Sequence, residues 1–516
     1  METLPSEPPS VLLRRKSAAS QSESDHETSK AFVPSIDYYV DNQLPVDQLK
    51  KDVLVLTHRL EIARWRNIPI SEYSQIKIVR ISGALTNAVY CVTPPSKYLH
   101  HSPDHHNLPH PTLDSPNKPL LSRRKSISSL RIQHVPQLLL RIYGPNTSQI
   151  IDRSTELALL KRLSGQNIGP RILGIFSNGR FEKFLKAQTL NKEDIRFPDV
   201  SNVIAKRMRE LHDGIDLTFD ERSQGPGVWR TFDKWSIDAK VVLDKLDAKM
   251  TQVRGVEDAA GLGPPWSTKR VLRTDWKTFM EAVKSYKAWL GKEAGGTAAI
   301  NKRLVFAHND AQYGNLLRVE PPSGSPLLRP ANEHKTLVVI DFEYASPNVR
   351  GCDIANHFCE WMSDYHDPDR PQDIHSDKFP TEQDRLRFIE SYVTHGLDAY
   401  GDIDKIDRDI AALSREATIW RPAIHLGWCM WGIISAPVEH EPPEDSEGFV
   451  DDEDPAVETH PDAQALEATE FDYLDYASQK ASLFWGDMVN LGIAIPEGVD
   501  MDYAMYVGKK WKHAQY

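Results

Sequence analysis

Only four of the 516 residues are cysteine: Cys91, Cys352, Cys359 and Cys429. None has the paired spacing of a metal knuckle, and each sits in apolar surroundings, so they read as reduced core residues of an intracellular protein. Long hydrophobic runs are also missing. The apolar stretch Leu426 to Val438 is shorter than the ~20 residues a membrane helix needs. The opening METLPSEPPSVLLRRKS has no apolar segment of the kind a secretory leader carries. A basic excess is absent too, since 62 Lys and Arg face 73 Asp and Glu, which argues against a nucleic-acid face. These shortages disfavour a secreted, disulfide-stapled or membrane-inserted protein. What remains is a cytoplasmic chain, long enough for two or more domains or one large enzyme with decorations.

The acidity is concentrated. Residues 438–470 hold 13 Asp and Glu and no Lys or Arg, more than the whole chain's net charge of −11. The rest is therefore near neutral. Residues 1–35, rich in Ser, Glu, Pro and Lys, read as a disordered tail. Residues 94–136 read as a disordered insert, and Glu320 to Lys335 and the acidic run as further inserts; all four belong on the surface. Five histidines between His100 and His110 (HHSPDHHNLPH) offer metal ligands, but polar low complexity is the favoured reading. The sequence LLRRKS, ending at Ser17, is echoed by LSRRKS, ending at Ser126. Arg-Arg-Lys-Ser resembles a basophilic protein-kinase target; a chance cluster in a polar tail is the competing reading.

Between the inserts, Ile76 to Ile81 and Val89 to Val92 predict strands around the turn SGALTN, and Leu138 to Tyr143 predicts a third. Ser154 to Leu163 has helical apolar spacing. Arg171 to Leu185, with Asn178-Gly179 between apolar runs, predicts a hairpin. Beyond about residue 195 the pattern is mostly helical, as in Val200 to His212 and Thr381 to Tyr400. The expected class is α+β: an N-lobe over 36–190 and a helical C-lobe over 191–516.

The chemistry concentrates in LVFAHNDAQYGNLLRV (304–319) and LVVIDFEY (337–344). Two apolar strands each end in a carboxylate. Asp310 is followed five residues later by Asn315, and Asp341 and Glu343 alternate across the second strand end, which would aim both to one side. H-x-D-x-x-x-x-N followed by a strand ending in D-F-x is the layout of a kinase catalytic loop and magnesium site. Asp310 would orient the substrate hydroxyl and accept its proton. Asn315 and Asp341 would hold Mg²⁺, and Glu343 would help with a second ion. The bland reading, turn-capping acids, accounts for either element alone but poorly for both in this order. Glu343 replaces the Gly of D-F-G and no A-P-E follows, so a small-molecule kinase is favoured over a protein kinase.

HNDxxxxN, then VVIDFEYA, then RGCDIANHFCEWMSDY resembles the choline/ethanolamine kinase family, from about Ile81 to Ala477 outside the inserts. The resemblance implies a protein-kinase-like, two-lobed fold and ATP-dependent phosphorylation of an amino alcohol. It implies a phosphate-covering loop at Ser82, Gly83, Ala84, Leu85, Thr86 and Asn87, with Ala84 where the family shows a second glycine. Arg141 resembles the phosphate-contacting basic residue, and Glu156 its ionic partner. Glu182, Lys183, Phe184 and Leu185 resemble the adenine hinge, and Gln312 would touch nucleotide or substrate.

A quaternary ammonium must be recognised by aromatic faces and a negative field. Trp428 and Trp431 share a helix face by their spacing. With Glu360, Tyr365, Tyr476 and Tyr344, the resemblance places them around a choline head group; Trp361 and Phe471 read as walls or core. Any one of these rings alone would read as core packing.

The expected activity is ATP-dependent phosphorylation of choline to phosphocholine, the first step of phosphatidylcholine synthesis by the cytidine-nucleotide route. Ethanolamine kinase and an aminoglycoside-phosphotransferase-like kinase are the enzymatic alternatives, and an inactive kinase fold used as a scaffold is the non-enzymatic one. Choline and ATP are the expected partners. Room is left for a homodimer and for a regulatory protein kinase at Ser17 and Ser126; nucleic acid and stable membrane insertion are not expected.

Overall fold

The computed structural model of the chain describes residues 33–41, 44–82, 87–99, 134–143, 162–163, 169, 171–253, 266–321, 323–397, 402–437, 458–459 and 471–501. The loop Gly83 to Thr86, Glu156, Ser17, Ser126, the histidines at 100–110 and most of the acidic run lie outside them.

Strands β1 (Lys77–Ser82), β2 (Asn87–Thr93), β3 (Leu138–Tyr143), β4 (Ile172–Phe176) and β5 (Gly179–Lys183) form an antiparallel sheet in the order β1-β2-β3-β5-β4. Apolar residues of these strands share one core with the helix Val46–Arg59. Leu49, Val53, Leu140 and Phe181 share that core. The hairpin turn is Ser177-Asn178, one residue earlier than Asn-Gly predicts, with Phe176 opposite Gly179. Gly179 is required by crowding: a Cβ there would meet Arg141 O at 2.3 Å and the Phe176 ring at 2.4 Å. The Asn178 side chain instead pins the segment before the first helix, bonding Val40 N at 2.9 Å and Val40 O at 2.7 Å.

Three expectations are corrected. The acidic run is not wholly separate from the sheet, because β11 (Glu458–Thr459) adds to it in parallel, opposite Val79 and Arg80. The 320–335 stretch is not a simple surface loop. It forms 3₁₀ turns at Pro326–Leu328 and Pro330–Thr336 and buries His334. The tail assigned to residues 1–35 runs slightly too far, since Ser35 bridges Ile175.

The helical part packs around a second core. The long helices Ile403–Ser435 and Tyr473–Asn490 lie against each other, and Gly227–Val253 and Arg350–Glu360 lie against the former. Helix Glu382–Thr394 starts at Thr381 through a capping box with Asp384. Short ladders carry the chemistry: β7 (Leu304–Ala307) pairs with β10 (Ser346–Val349), and β8 (Leu316–Val319) lies between β6 (Ala187–Thr189) and β9 (Leu337–Val339). All four cysteines are buried and unpaired. Among the described residues no helix is long and apolar enough to cross a membrane.

Candidate active site

The loop between β7 and β8 is locked by one carboxylate that sequence reasoning assigned no role. Asp353 lies in the first turn of helix Arg350–Glu360 and is fully buried. It accepts from His308 N at 2.8 Å, Asn309 N at 2.7 Å and His212 Nε2 at 2.9 Å. Burial by itself would raise its pKa, but His212, His308 and the backbone donors hold it below the usual carboxylate range. Its signal in the sequence was a lone acid in the run CDIANHF, between Cys352 and Ile354. Asn309 takes φ +64°, and its amide donates to Tyr344 O at 2.9 Å and Ser346 Oγ at 2.9 Å. That left-handed conformation turns the chain just before Asp310.

Asn315 donates Nδ2 to Asp310 O at 2.9 Å and to Asp310 Oδ2 at 2.7 Å. Its amide oxygen is thus left for another partner, the one a cation would use. Asp310 is pushed well above the usual carboxylate range by burial and then by Glu360, Asp341 and Glu343, with the Asn315 bond opposing. Four acids therefore crowd one cleft. β9 ends at Val339 and Asp341 has φ +63°, so strand alternation is not what brings Asp341 and Glu343 together; a turn does. Asp341 Oδ1 is buried with no hydrogen-bond donor, and Arg141 Nη1 approaches it at 3.6 Å. Arg141 is buried rather than an exposed strand residue. It joins the sheet to the acidic cleft.

Gln312 accepts from Gly314 N at 2.7 Å, capping the turn Tyr313–Asn315. In the hinge, the N–H of Lys183 is taken by Arg171 O at 2.9 Å, while Phe184 and Leu185 connect β5 to β6 outside the ladders.

The aromatic candidates come together. Ring centroids are 5.4 Å apart for Tyr344–Trp428, 5.7 Å for Trp428–Trp431 and 5.9 Å for Trp431–Tyr476. Trp431 Nε1 donates to Tyr344 Oη at 3.1 Å and Trp428 Nε1 to Asn356 Oδ1 at 2.8 Å. Tyr365 Oη donates to Glu360 Oε2 at 2.7 Å. Burial raises Glu360, with Lys480 opposing. Phe471 packs on Tyr476 at 5.5 Å as a wall, and Trp361 is core. Three neighbours were missed. Trp235 stands 6.2 Å from Tyr344 and Tyr473 5.6 Å from Trp431. Lys480 is fully buried, with Nζ 5.0 Å over the Tyr476 ring. Tyr473 is the middle ring of FDYLDY, so the same aromatic cluster could have revealed it; a lysine in a helix carries no such signal.

The family model described as choline/ethanolamine kinase matches residues 78–485, and one described as choline kinase N terminus matches 29–71. The chain is 33% identical to choline kinase of Saccharomyces cerevisiae, over 94% of this chain and 83% of that protein. It is 29% identical to the ethanolamine kinase of the same yeast, over 91% and 82%. The crystal structure of a Cryptosporidium parvum choline kinase superposes with a TM-score of 0.55 at 20% identity, covering 86% of this chain and 98% of that one. That likeness shows the two-lobed fold.

Proposed function

The chain belongs to the choline/ethanolamine kinase family, and from that premise we propose that it passes the γ-phosphoryl group of ATP to the hydroxyl of choline. The observation that carries this reading is the ring wall of Tyr344, Trp428, Trp431 and Tyr476 beside an acidic cleft. A trimethylammonium group has no N–H to donate and is held by aromatic faces and negative field. A primary ammonium wants about three acceptors, whereas one oxygen of Glu360 is already engaged by Tyr365.

In this reading Asp310 orients the choline hydroxyl and accepts its proton. Its raised proton affinity suits a general base. Asn315, through its amide oxygen, and Asp341 and Glu343 would hold magnesium, which when bound neutralises charge on the phosphate oxygens. The buried Asp341 Oδ1 without a donor supports that fit. Arg141 would turn from Asp341 to phosphate, the loop from Gly83 to Asn87 would cover the phosphates, and Phe184 and Leu185 would offer backbone to adenine. A cytoplasmic setting is supported by the unpaired cysteines. The repeated Arg-Arg-Lys-Ser supports modification at Ser17 and Ser126.

Ethanolamine phosphorylation is the second reading, favoured by the similarity to the yeast ethanolamine kinase. A phosphotransfer assay with choline, ethanolamine and an aminoglycoside side by side separates them. An unpaired donor costs about 1–3 kcal/mol, so choline is expected to lead ethanolamine by about one to two powers of ten in kcat/KM, with no turnover of the aminoglycoside. Faster phosphorylation of ethanolamine at equal low concentration overturns the choline reading.

A further inference from the structure

Away from the acidic cleft, three metal-ligating side chains converge from three separate elements. Glu210 lies in the last turn of helix Pro198–Gly214, His334 in the 3₁₀ turn Pro330–Thr336, and His395 at the C-terminal end of helix Glu382–Thr394. His334 Nε2 is 2.8 Å from Glu210 Oε1, and His395 Nε2 is 3.5 Å from the same oxygen. The three facing atoms all lie within 4.8 Å of one another. The two imidazoles meet edge to face at 4.8 Å. Arg207 bonds the other carboxylate oxygen, Oε2, which fixes the carboxylate and leaves Oε1 toward the rings.

We infer that Glu210, His334 and His395 form a binding site for one divalent cation of the zinc class. Bonds of about 2.0–2.2 Å in a tetrahedral site put ligand atoms about 3.3–3.6 Å apart. The His395–Glu210 pair is already at that spacing, the hydrogen-bonded His334–Glu210 pair opens slightly to admit the ion, and the third closes with a small rotation of His395, whose side chain is 20% exposed. Two imidazoles and a carboxylate suit zinc and its neighbours, whereas magnesium and calcium want oxygen ligands. The partial exposure of His395 and Glu210 leaves an approach for the ion and room for a water as fourth ligand. His334, by contrast, is buried, and the Arg207 contact supplies the kind of outer-shell support that orients a ligating carboxylate. Bound metal would replace the proton now shared between His334 and Glu210. It would staple the 320–336 stretch to two helices, just ahead of β9 and the strand end that carries Asp341. The composition of that stretch suggested only a surface insert; a buried imidazole facing a carboxylate and a second imidazole is what an insert gains from such a staple.

The five histidines at 100–110 are further candidate zinc ligands, so the test removes them: it uses the full chain with His100, His101, His105, His106 and His110 replaced by serine. After chelator treatment and desalting, calorimetric titration with zinc is expected to show one equivalent. Magnesium at the same concentration should not displace it, and cobalt in its place should give visible absorption of a tetrahedral site. His395→Ala and, separately, Glu210→Gln should each weaken zinc binding about tenfold or more and bleach the cobalt bands. Zinc should raise the Tm of the unaltered cluster and leave that of His395→Ala unmoved. Because His395 sits at a helix end and is partly exposed, this variant is expected to fold, and its circular dichroism checks that. Zinc uptake well below one equivalent, or an affinity indifferent to both substitutions, overturns the site and leaves a hydrogen-bonded trio.

Discussion

The loop that carries Asp310 and the ring wall face the same cleft but are held in opposite ways. The loop hangs on a single buried carboxylate, Asp353, whose oxygens take two consecutive backbone N–H groups and the His212 ring. Behind it, His357 Nδ1 donates to Ala311 O at 2.8 Å and His308 Nε2 bonds Ile340 O at 2.9 Å. The wall is a chain of edge-to-face and tilted contacts among Trp235, Tyr344, Trp428, Trp431, Tyr473 and Tyr476. A network with one central acceptor fails as a unit, because removing it orphans several buried donors. A stack of rings loses only the ring removed. In the proposed reaction, orientation of the hydroxyl would therefore rest on few atoms, and cation affinity would be spread over many.

The comparison breaks most sharply at Asp310. Asp310→Asn keeps the shape and the contact to Asn315 but cannot accept a proton. General-base assistance is worth roughly 10²–10⁴ in rate, so kcat should fall by about that factor with an unchanged melting curve. A rate within threefold of the parent would remove Asp310 from the chemistry. Asp353→Asn comes next. An amide in place of one carboxylate oxygen sets a donor against a backbone N–H, so the loop loosens and kcat should fall by about 10- to 100-fold. KM for choline should stay within about twofold, because the wall is untouched; if KM rises as much as kcat falls, loop and wall are not separable.

The third prediction uses pH. The Nδ1–H of His357 is spent on Ala311, and Nε2 faces the Trp361 indole N–H at 3.4 Å. Protonation would set donor against donor, and burial drives the pKa down to about 4, with the Ala311 bond and Asp353 opposing. Below about pH 6.5 the unfolded chain takes up a proton that the native one refuses, so stability falls as pH drops from about 6.5 to about 4. Over that span the loss is about 3 kcal/mol. Urea midpoints across the range should show the slope, and His357→Gln, which cannot titrate, should flatten it. An equal slope in both proteins would place the acid sensitivity elsewhere.

How far these regions could be read from the sequence follows from the same contrast. The strands, the turn from Asp310 to Asn315 and the helical spacing of Trp428 and Trp431 are local patterns, and the structure forms each of them. Asp353 and Lys480 could not be read that way, because their partners are remote in sequence: Asp353 meets His212, 141 residues away. The alternation argument for Asp341 and Glu343 failed because the backbone at Asp341 leaves the extended region after Val339. The clustering of Glu210, His334 and His395 depends on an insert that composition had set aside as surface.

On the wall, Trp428→Ala should cost one face of the cage. A cation–π contact is worth about 0.5–2 kcal/mol, so kcat/KM for choline should fall by about 2- to 30-fold, mostly through KM. The loss should be smaller for ethanolamine, whose ammonium is compact and leans on acceptors. An equal loss for both substrates would show that Trp428 shapes the pocket without reading the cation.

The smallest effect is expected where the acidic run touches the sheet. Deleting residues 446–461 removes β11, which pairs with Val79 and Arg80 of β1. Two residues of parallel pairing contribute little to a five-stranded antiparallel sheet whose own register is set by β2, β3 and β5. The other edge of β1 keeps its ladder to β2, and Tyr476 lies fifteen residues beyond the deletion, inside its own helix. The kcat and the KM for choline should therefore stay within about twofold of the parent. The KM for ATP is the sensitive quantity, because β1 leads directly into the turn proposed to cover the phosphates. A rise there of tenfold or more, with choline affinity unchanged, would show that β11 braces the phosphate turn. A collapse in choline affinity instead would show that the acidic run helps close the ring wall, and would end the separation between the two regions.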